Sequence, residues 1–390
     1  MCMNLYAANE QWHSRPADER FETLENLAEA TKSHAATAKT VSYPTSALTV
    51  VPTERQMAVV SPTGGGANLT HWSFGQLSRA VGAPAGYLQS LGDKNLVAQC
   101  LNHGLKQVDK EHESVILIHE NGQRVCRQFA SEQYARIWNY QLAEKCVELQ
   151  QAGWRVPPAR PAHYGQPGSR PATEADCLRL TGNSGLSIKP GDLIAPAGIY
   201  ASDHDMFVFM VNEDENFRID DGTDGGLGRG FFISNSEVGA ASLKITWFCY
   251  RYVCGNHIVW DASQVKELKI VHKGGNDRSW QYKARQFVDV GLRRGLAEDA
   301  ARIEAAKTTK LCDRDQDPVE FLFAKKFATK KVLEASWKHA KLEADLRPSV
   351  DPKSVWGFVN GITSASQDTG FADDRVEIDR LAGKLMSMAF

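Results

Sequence analysis

The sequence predicts an α+β fold, with a central, mainly antiparallel sheet flanked by N-terminal and C-terminal helices. Three observations lead there. Ser114–Phe129 holds two β-rich runs, SVILIHE and QRVCRQF, around Asn121-Gly122, the pair that a tight type I′ hairpin turn prefers. Leu243–Cys254 reads as a second long strand with aromatic residues at every other position. Apolar residues at helical spacing gather toward the two ends of the chain.

Taken in order, Arg20–Ala30 places Phe21, Leu24 and Leu27 on one helical face. The Ser/Thr/Ala-rich stretch Thr31–Ala47 reads as a loop or mobile arm, and SPTGGGAN at Ser61–Asn68 as a flexible connector. Phe74, Leu77 and Val81 repeat at helical spacing. Gly82 ends that helix, and Pro84 opens another with Tyr87, Leu88 and Leu91. The outline is that of a DNA-reading helix-turn-helix. Its second helix has almost no basic side chains, so a helical hairpin packed on a core is expected. After the hairpin, Ser131 caps a helix with Tyr134, Trp138, Leu142, Cys146 and Leu149 on one face. Five prolines (157, 158, 161, 167 and 171) make residues 151–175 an irregular insertion. Strands are expected at Cys177–Leu180, Leu193–Ala195 and Met206–Val211. Helices follow at Gln281–Thr308 and Phe321–Ala344, with two more in Val355–Met388. The organisation is then a helix and flexible arm (1–68), a helical hairpin (69–111), the sheet domain with its Pro-rich insertion (112–275) and a helical region (276–390).

Composition narrows the function. A chain of 390 residues with 42% hydrophobic and 24% charged residues has ordinary globular proportions. Its formal net charge of -2 gives no global basic field, so any nucleic-acid site must be a local patch. The eight cysteines form no CxxC pair and fit free thiols in a cytoplasmic setting. The start, MCMNLYAANEQWHSRP, lacks the pattern of a secretory leader, and no run of about 18 apolar residues suggests a membrane span. No cofactor is expected: GGLGRG at Gly225–Gly230 lacks the spacing and the Lys-Ser/Thr of a phosphate-binding loop.

The chemistry concentrates between Gly230 and His272. One face of the 243–254 strand carries Leu243, Ile245, Trp247, Cys249, Arg251 and Val253. The other carries Lys244, Thr246, Phe248, Tyr250, Tyr252 and Cys254. Aromatic rings spaced two residues apart beside a lysine suit stacking of unpaired bases. Lys266, Lys269, Lys273, Arg278, Lys283 and Arg285 extend a basic track, while core packing of the same aromatics is the competing reading. Cys254, Asn256 and His272 have the residue types of a thiol nucleophile, an orienting amide and a base. Cys249, Cys254, His257 and His272 lack the spacing of a zinc finger. Asp203, Asp205, Asp220, Asp221 and Asp224 lack the order of a calcium loop, and read as a solvated acidic stretch. Asn235, Ser236 and Glu237 are expected in a turn.

NSEVG at Asn235–Gly239, the Arg251-x-x-Cys254-x-Asn256 pattern, His272, SVWGFVNGIT at Ser354–Thr363 and THWSFGQL…GAPAGYL resemble the phage and plasmid proteins grouped as domain of unknown function 932. The resemblance covers most of residues 70–390. It implies a phage-type protein working in the host cytoplasm, and no established reaction. The functional expectation is single-stranded DNA binding or annealing in replication or recombination, with self-association and no covalent chemistry. Phe248, Tyr250 and Tyr252 would stack bases, and Lys244, Lys269, Lys273 and Arg278 would neutralise phosphates, with Arg251 positioning the strand. The alternatives are an enzyme centred on Cys254, Asn256 and His272, and a factor that binds a host protein, such as a defence system, through the acidic stretch.

Overall fold

The computed structural model describes residues 19–21, 23–54, 57–109, 112–156, 158–159, 170–174, 189–196, 199–202, 204–212, 219, 227–251, 257–258, 267–274, 279–293, 296–346, 350–366 and 372–387. The first helix, α1 (Leu24–Ala36), begins where the Thr23 hydroxyl accepts the Asn26 N–H. It is followed by β1 (Ala38–Pro44), β2 (Thr49–Pro52), β3 (Met57–Val60) and β4 (Gly66–Leu69). Three helices come next: α2 (His71–Ala80), α3 (Ala85–Ser90) and α4 (Lys94–Gln107). The hairpin β5 (Glu113–Asn121) and β6 (Gln123–Ser131) completes a six-stranded sheet in the order β1-β5-β6-β4-β3-β2. The β4–β6 pair is parallel and the rest are antiparallel.

Two expectations change here. The arm expected over Thr31–Ala47 is helix as far as Ala36 and then holds β1, β4 begins in the connector expected over Ser61–Asn68, and β2 and β3 lie between them, with Val41 of β1 opposite Ile116 of β5. β1 is an edge strand with no fully buried position; Val41 and Tyr43 alternate with exposed Thr40 and Ser42 and pack against the core, a pattern too short to stand out from a Ser/Thr/Ala-rich run. The hairpin therefore belongs to a sheet built with the N-terminal strands, and the chain forms two main sheets where one was expected. Leu48, Val59, Leu69, Ile116 and Cys126 pack against Phe74, Leu77, Leu101 and Leu105. This confirms the bland reading of the helical hairpin: Phe74, Leu77 and Leu88 are core residues.

The helix expected from Ser131 starts instead at Asn139, as α5 (Asn139–Gln150). Residues before it are held by another segment: Ala135 N–H donates to His272 O, and Gly274 N–H to Gln133 O. That tertiary pairing displaces the local cap. The second sheet contains β7 (Trp154–Arg155), then, past a small three-stranded sheet of β8 (Pro158–Ala159), β9 (Arg170–Pro171) and β10 (Leu193–Pro196), the strands β11 (Ile199–Ala201), β12 (Met206–Asn212), β13 (Leu227–Asn235), β14 (Leu243–Arg251), β15 (His257–Ile258) and β16 (Glu267–Ile270). Its path is β11-β12-β13-β14-β15, with β16 also on β14 and β7 on β12, all antiparallel. The expected strand at 177–180 lies outside the described residues.

β12 reads MFVFMVN and is buried at every position, as a strand covered on both faces must be. One face joins Leu24 and Leu27 of α1, Leu142 and Cys146 of α5, and Trp280 of α6 (Ser279–Arg293) around Phe231 and Trp247. The other gathers Tyr200, Phe207, Phe209 and Phe232, with Tyr200 and Phe207 stacked at 5.6 Å.

The remaining helices are α7 (Leu296–Thr308), α8 (Pro318–Ala324), α9 (Lys330–Leu346), α10 (Val355–Ala365) and α11 (Ala372–Met386). α6 and α7 flank residues 294–295, which lie outside the described residues, where one helix was expected. The helix expected over 321–344 is broken at Lys325–Thr329, with Lys326 in the left-handed region at φ 54°. No Gly or Pro marks that break, so the sequence lacks the usual stop signal. α10 is the hub of this bundle, with Trp356, Phe358, Val359 and Ile362 fully inside.

Candidate functional site

Strand register brings two expected cationic residues together. Lys244 of β14 lies directly opposite Lys269 of β16. Lys269 and Lys273 are exposed and Lys244 is half-buried. Their sheet neighbours on β14 and β16 are core residues: Leu243 is 0% exposed and Ile270 5%. One strand therefore presents a lysine between inward-facing apolar residues, as period-two alternation requires.

The face narrows inward from this pair. Thr246, two residues beyond Lys244, is buried, as is Phe232 opposite it on β13. Phe248 and Tyr250 occupy the register positions opposite Gly230 and Gly228. The side chains of Phe248, Tyr250 and Arg251, and all of Tyr252, Cys254, Asn256, Lys266 and Arg278, lie outside the described residues. The structure thus brings Lys244 and Lys269 together and leaves Lys273 just beyond the end of β16.

His272 occupies a packed position. Its ring stacks on Tyr134 at 5.3 Å with planes 8° apart, and its Nδ1 is 3.2 Å from Ala135 O. That contact places a proton on Nδ1 and leaves Nε2 buried without a hydrogen-bond partner among the described residues. Burial pulls the imidazole pKa down to about 4, aided by the charge of Arg136, so the ring is neutral at physiological pH. Of the acidic stretch, Asp205 is described. Its carboxylate and its N–H both engage Ser202 Oγ, which makes it a turn former between β11 and β12. Among the described residues no group of His, Cys, Asp or Glu is arranged to hold a metal.

The expected turn at Asn235–Gly239 is the clasp between the two sheets. Asn235, Ser236, Glu237 and Val238 are all buried. Asn235 Nδ2 donates to Ile137 O and to Asn139 Oδ1 at 3.0 and 2.8 Å. Glu237 Oε1 accepts the Asn139 N–H at 2.7 Å, and Oε2 lies 3.5 Å from Arg127 Nη1 of β6. Arg136 Nε donates to Glu237 O, and the Tyr134 hydroxyl to Ser236 O. From α2, Trp72 Nε1 and Gln76 Nε2 both donate to Val238 O at 3.1 and 2.7 Å. The positive φ of Gly239 (82°) closes the turn. A Cβ there would sit 3.1 Å from the Tyr134 ring.

Sequence reading placed the NSEVG turn but missed its partners, Trp72, Gln76, Arg127 and Arg136, and Gln128, which accepts from Arg136. A signal was present. Arg127 and Gln128 interrupt a β-rich run, and both are buried. Compared with known proteins, the chain matches no family model, no curated protein and no solved structure. Among the described residues, no helix is long and apolar enough to cross a membrane.

Proposed function

We propose that the protein binds single-stranded nucleic acid across the lysine-bearing face of its second sheet. The observation that carries this reading is the Lys244–Lys269 pair. Like charges directly opposite each other on neighbouring strands destabilise a sheet. Neither lysine has a hydrogen bond or ion pair among the described residues. A polyanion laid over the pair relieves that repulsion and releases counterions. Phe248 and Tyr250 occupy the alternate positions further along β14, in line with a strand of stacked bases.

The test is a salt-titrated binding assay with a labelled single-stranded oligonucleotide and its duplex. Binding to the single strand should weaken linearly in log salt. Lys244→Ala with Lys269→Ala should lower that slope by about 1.4, because each single-strand phosphate contact contributes about 0.7. Wild-type protein that fails to bind at low salt sinks the proposal. So does a double variant that binds with an unchanged slope.

A further inference from the structure

A second cationic cluster lies at the clasp and shares no residue with the Lys244–Lys269 pair. It starts with an irregularity in the hairpin. Leu117 pairs with Gln128 and Ile118 with Cys126, so Arg127 is the extra residue of a β-bulge. Bulges re-aim side chains and are enriched beside functional sites. Here the Arg127 guanidinium meets His119 of β5, with Nη1 3.2 Å from the His119 Nε2. Arginine can only donate, so His119 Nε2 accepts and the imidazole proton sits on Nδ1. His34, exposed on α1, meets the His119 ring edge-on at 5.9 Å. Arg136 Nη1 donates to Thr40 Oγ1 of β1 at 2.8 Å, and its guanidinium lies 5.0 Å over the Trp138 ring.

Five segments thus bring two guanidinium groups, two imidazoles and a hydroxyl to one rim. The facing acid is Glu237, beneath the rim. Its Oε1 is taken by the Asn139 N–H, and its Oε2 lies against Arg127. Glu120, the residue after His119, is engaged with Lys39 and Arg124 instead. Among the described residues, two guanidinium groups, Arg127 and Arg136, thus meet the Glu237 segment at this rim. His119 registers this: burial, Arg127, His34 and Arg136 all push its pKa down, to about 4. An arginine cluster with adjoining hydroxyl and imidazole donors is the arrangement that recognises phosphate groups.

We propose that this rim, formed by Arg136, His119, His34 and Thr40 with Arg127 behind them, binds a phosphate-bearing ligand. The anion would take donors from Arg136 and from His119 Nδ1 and neutralise the guanidinium charge. Arg127 holds the His119 tautomer and acts as a positioning residue. This site is separate from the Lys244–Lys269 face.

Calorimetry with inorganic phosphate against chloride at equal ionic strength tests it, alongside NMR titration of His119. Phosphate should bind saturably and raise the His119 pKa, because a bound anion favours the charged imidazole. His119→Gln should weaken binding about tenfold, the scale of one charge-assisted hydrogen bond. Thr40→Val, at an exposed strand position, should weaken it several-fold and leave the fold intact. Protein with Lys244→Ala and Lys269→Ala should bind phosphate like wild type, which separates this proposal from the nucleic-acid reading. A nucleoside monophosphate and dimethyl phosphate distinguish the source of the group. Preference for the first supports a terminal phosphate, and equal binding of the second supports a backbone diester. No saturable phosphate heat, or binding undiminished in both the His119 and the Thr40 variants, overturns the proposal.

Discussion

Glu237→Ala tests whether the NSEVG turn holds the two sheets together. The Glu237 carboxylate is 3% exposed, and the substitution removes two interactions at once. The Asn139 N–H at 2.7 Å loses its acceptor, which costs about 1–3 kcal/mol for a buried donor. Arg127, 7% exposed, loses its counter-charge, and a broken buried pair costs about 3–5 kcal/mol when the remaining ion is stranded. Arg127 is not stranded, because His119 still accepts from it, and the pair distance of 3.5 Å is long. The low end therefore applies, and the two effects overlap. The expected loss is roughly 3 kcal/mol, a large share of a typical stability of about 5–15 kcal/mol. Glu237→Gln, which keeps an acceptor for Asn139, should lose about half as much. Replacing Arg127 and Glu237 together by methionine should recover the ion-pair part of the loss, since no unpaired ion remains, and leave about 1–2 kcal/mol for the Asn139 N–H, which still lacks its acceptor. Urea unfolding followed by tryptophan fluorescence reads all four proteins. A Glu237→Ala loss below about 1 kcal/mol, or a double variant no more stable than Glu237→Ala, refutes the argument.

Four further outcomes follow from the same structure. The folded His272 has a pKa of about 4 against an ordinary 6.5, so the unfolded chain takes up a proton that the folded one refuses. Stability should therefore fall as pH drops from about 6.5 to 4 and gain no further loss from this group below that, by roughly 2–3 kcal/mol at most. His272→Phe, which keeps a ring on Tyr134, should reduce the slope of the urea-midpoint profile across that window, with His119, shifted to about 4 as well, supplying the remainder, and an unchanged slope would count against the assignment. Gly122 has φ 70° and open space around it, so Gly122→Ala should cost about 1 kcal/mol through backbone conformation alone. A neutral melting temperature there would mean that the turn relaxes. Gly361→Ala would put a Cβ 2.2 Å from Ser336 O and should cost at least 1–3 kcal/mol, roughly an overpacking penalty. In contrast, Gly75→Ala, inside α2 with nothing within 4 Å, should gain roughly 0.5–1 kcal/mol in the same thermal melt.

What local chemistry controls is legible in the sequence alone. The hairpin forms where Asn121-Gly122 lies, although with Asn121 paired to Gln123 and Gly122 alone at the tip with positive φ, in place of the expected two-residue type I′ turn. The apolar run at Met206–Val211 marked a strand, and the spacing from Val355 onward marked two terminal helices. Asn235, Ser236 and Glu237 were legible as a turn, and Lys244 and Lys269 as members of a basic track. What the sequence could not supply was pairing between distant segments. β1 becomes a strand through its pairing with β5, which two half-buried residues, Val41 and Tyr43, within a Ser/Thr/Ala-rich run do not announce. The helix start moved from Ser131 to Asn139 because backbone groups of Gln133 and Ala135 bond the segment around His272, about 140 residues away in sequence. Lys244 and Lys269 became a pair through strand register, and Arg127 joined Glu237 across 110 residues through a bulge. Propensity and turn signals act over a few residues, whereas buried charge and register are satisfied only when the whole chain has closed around them.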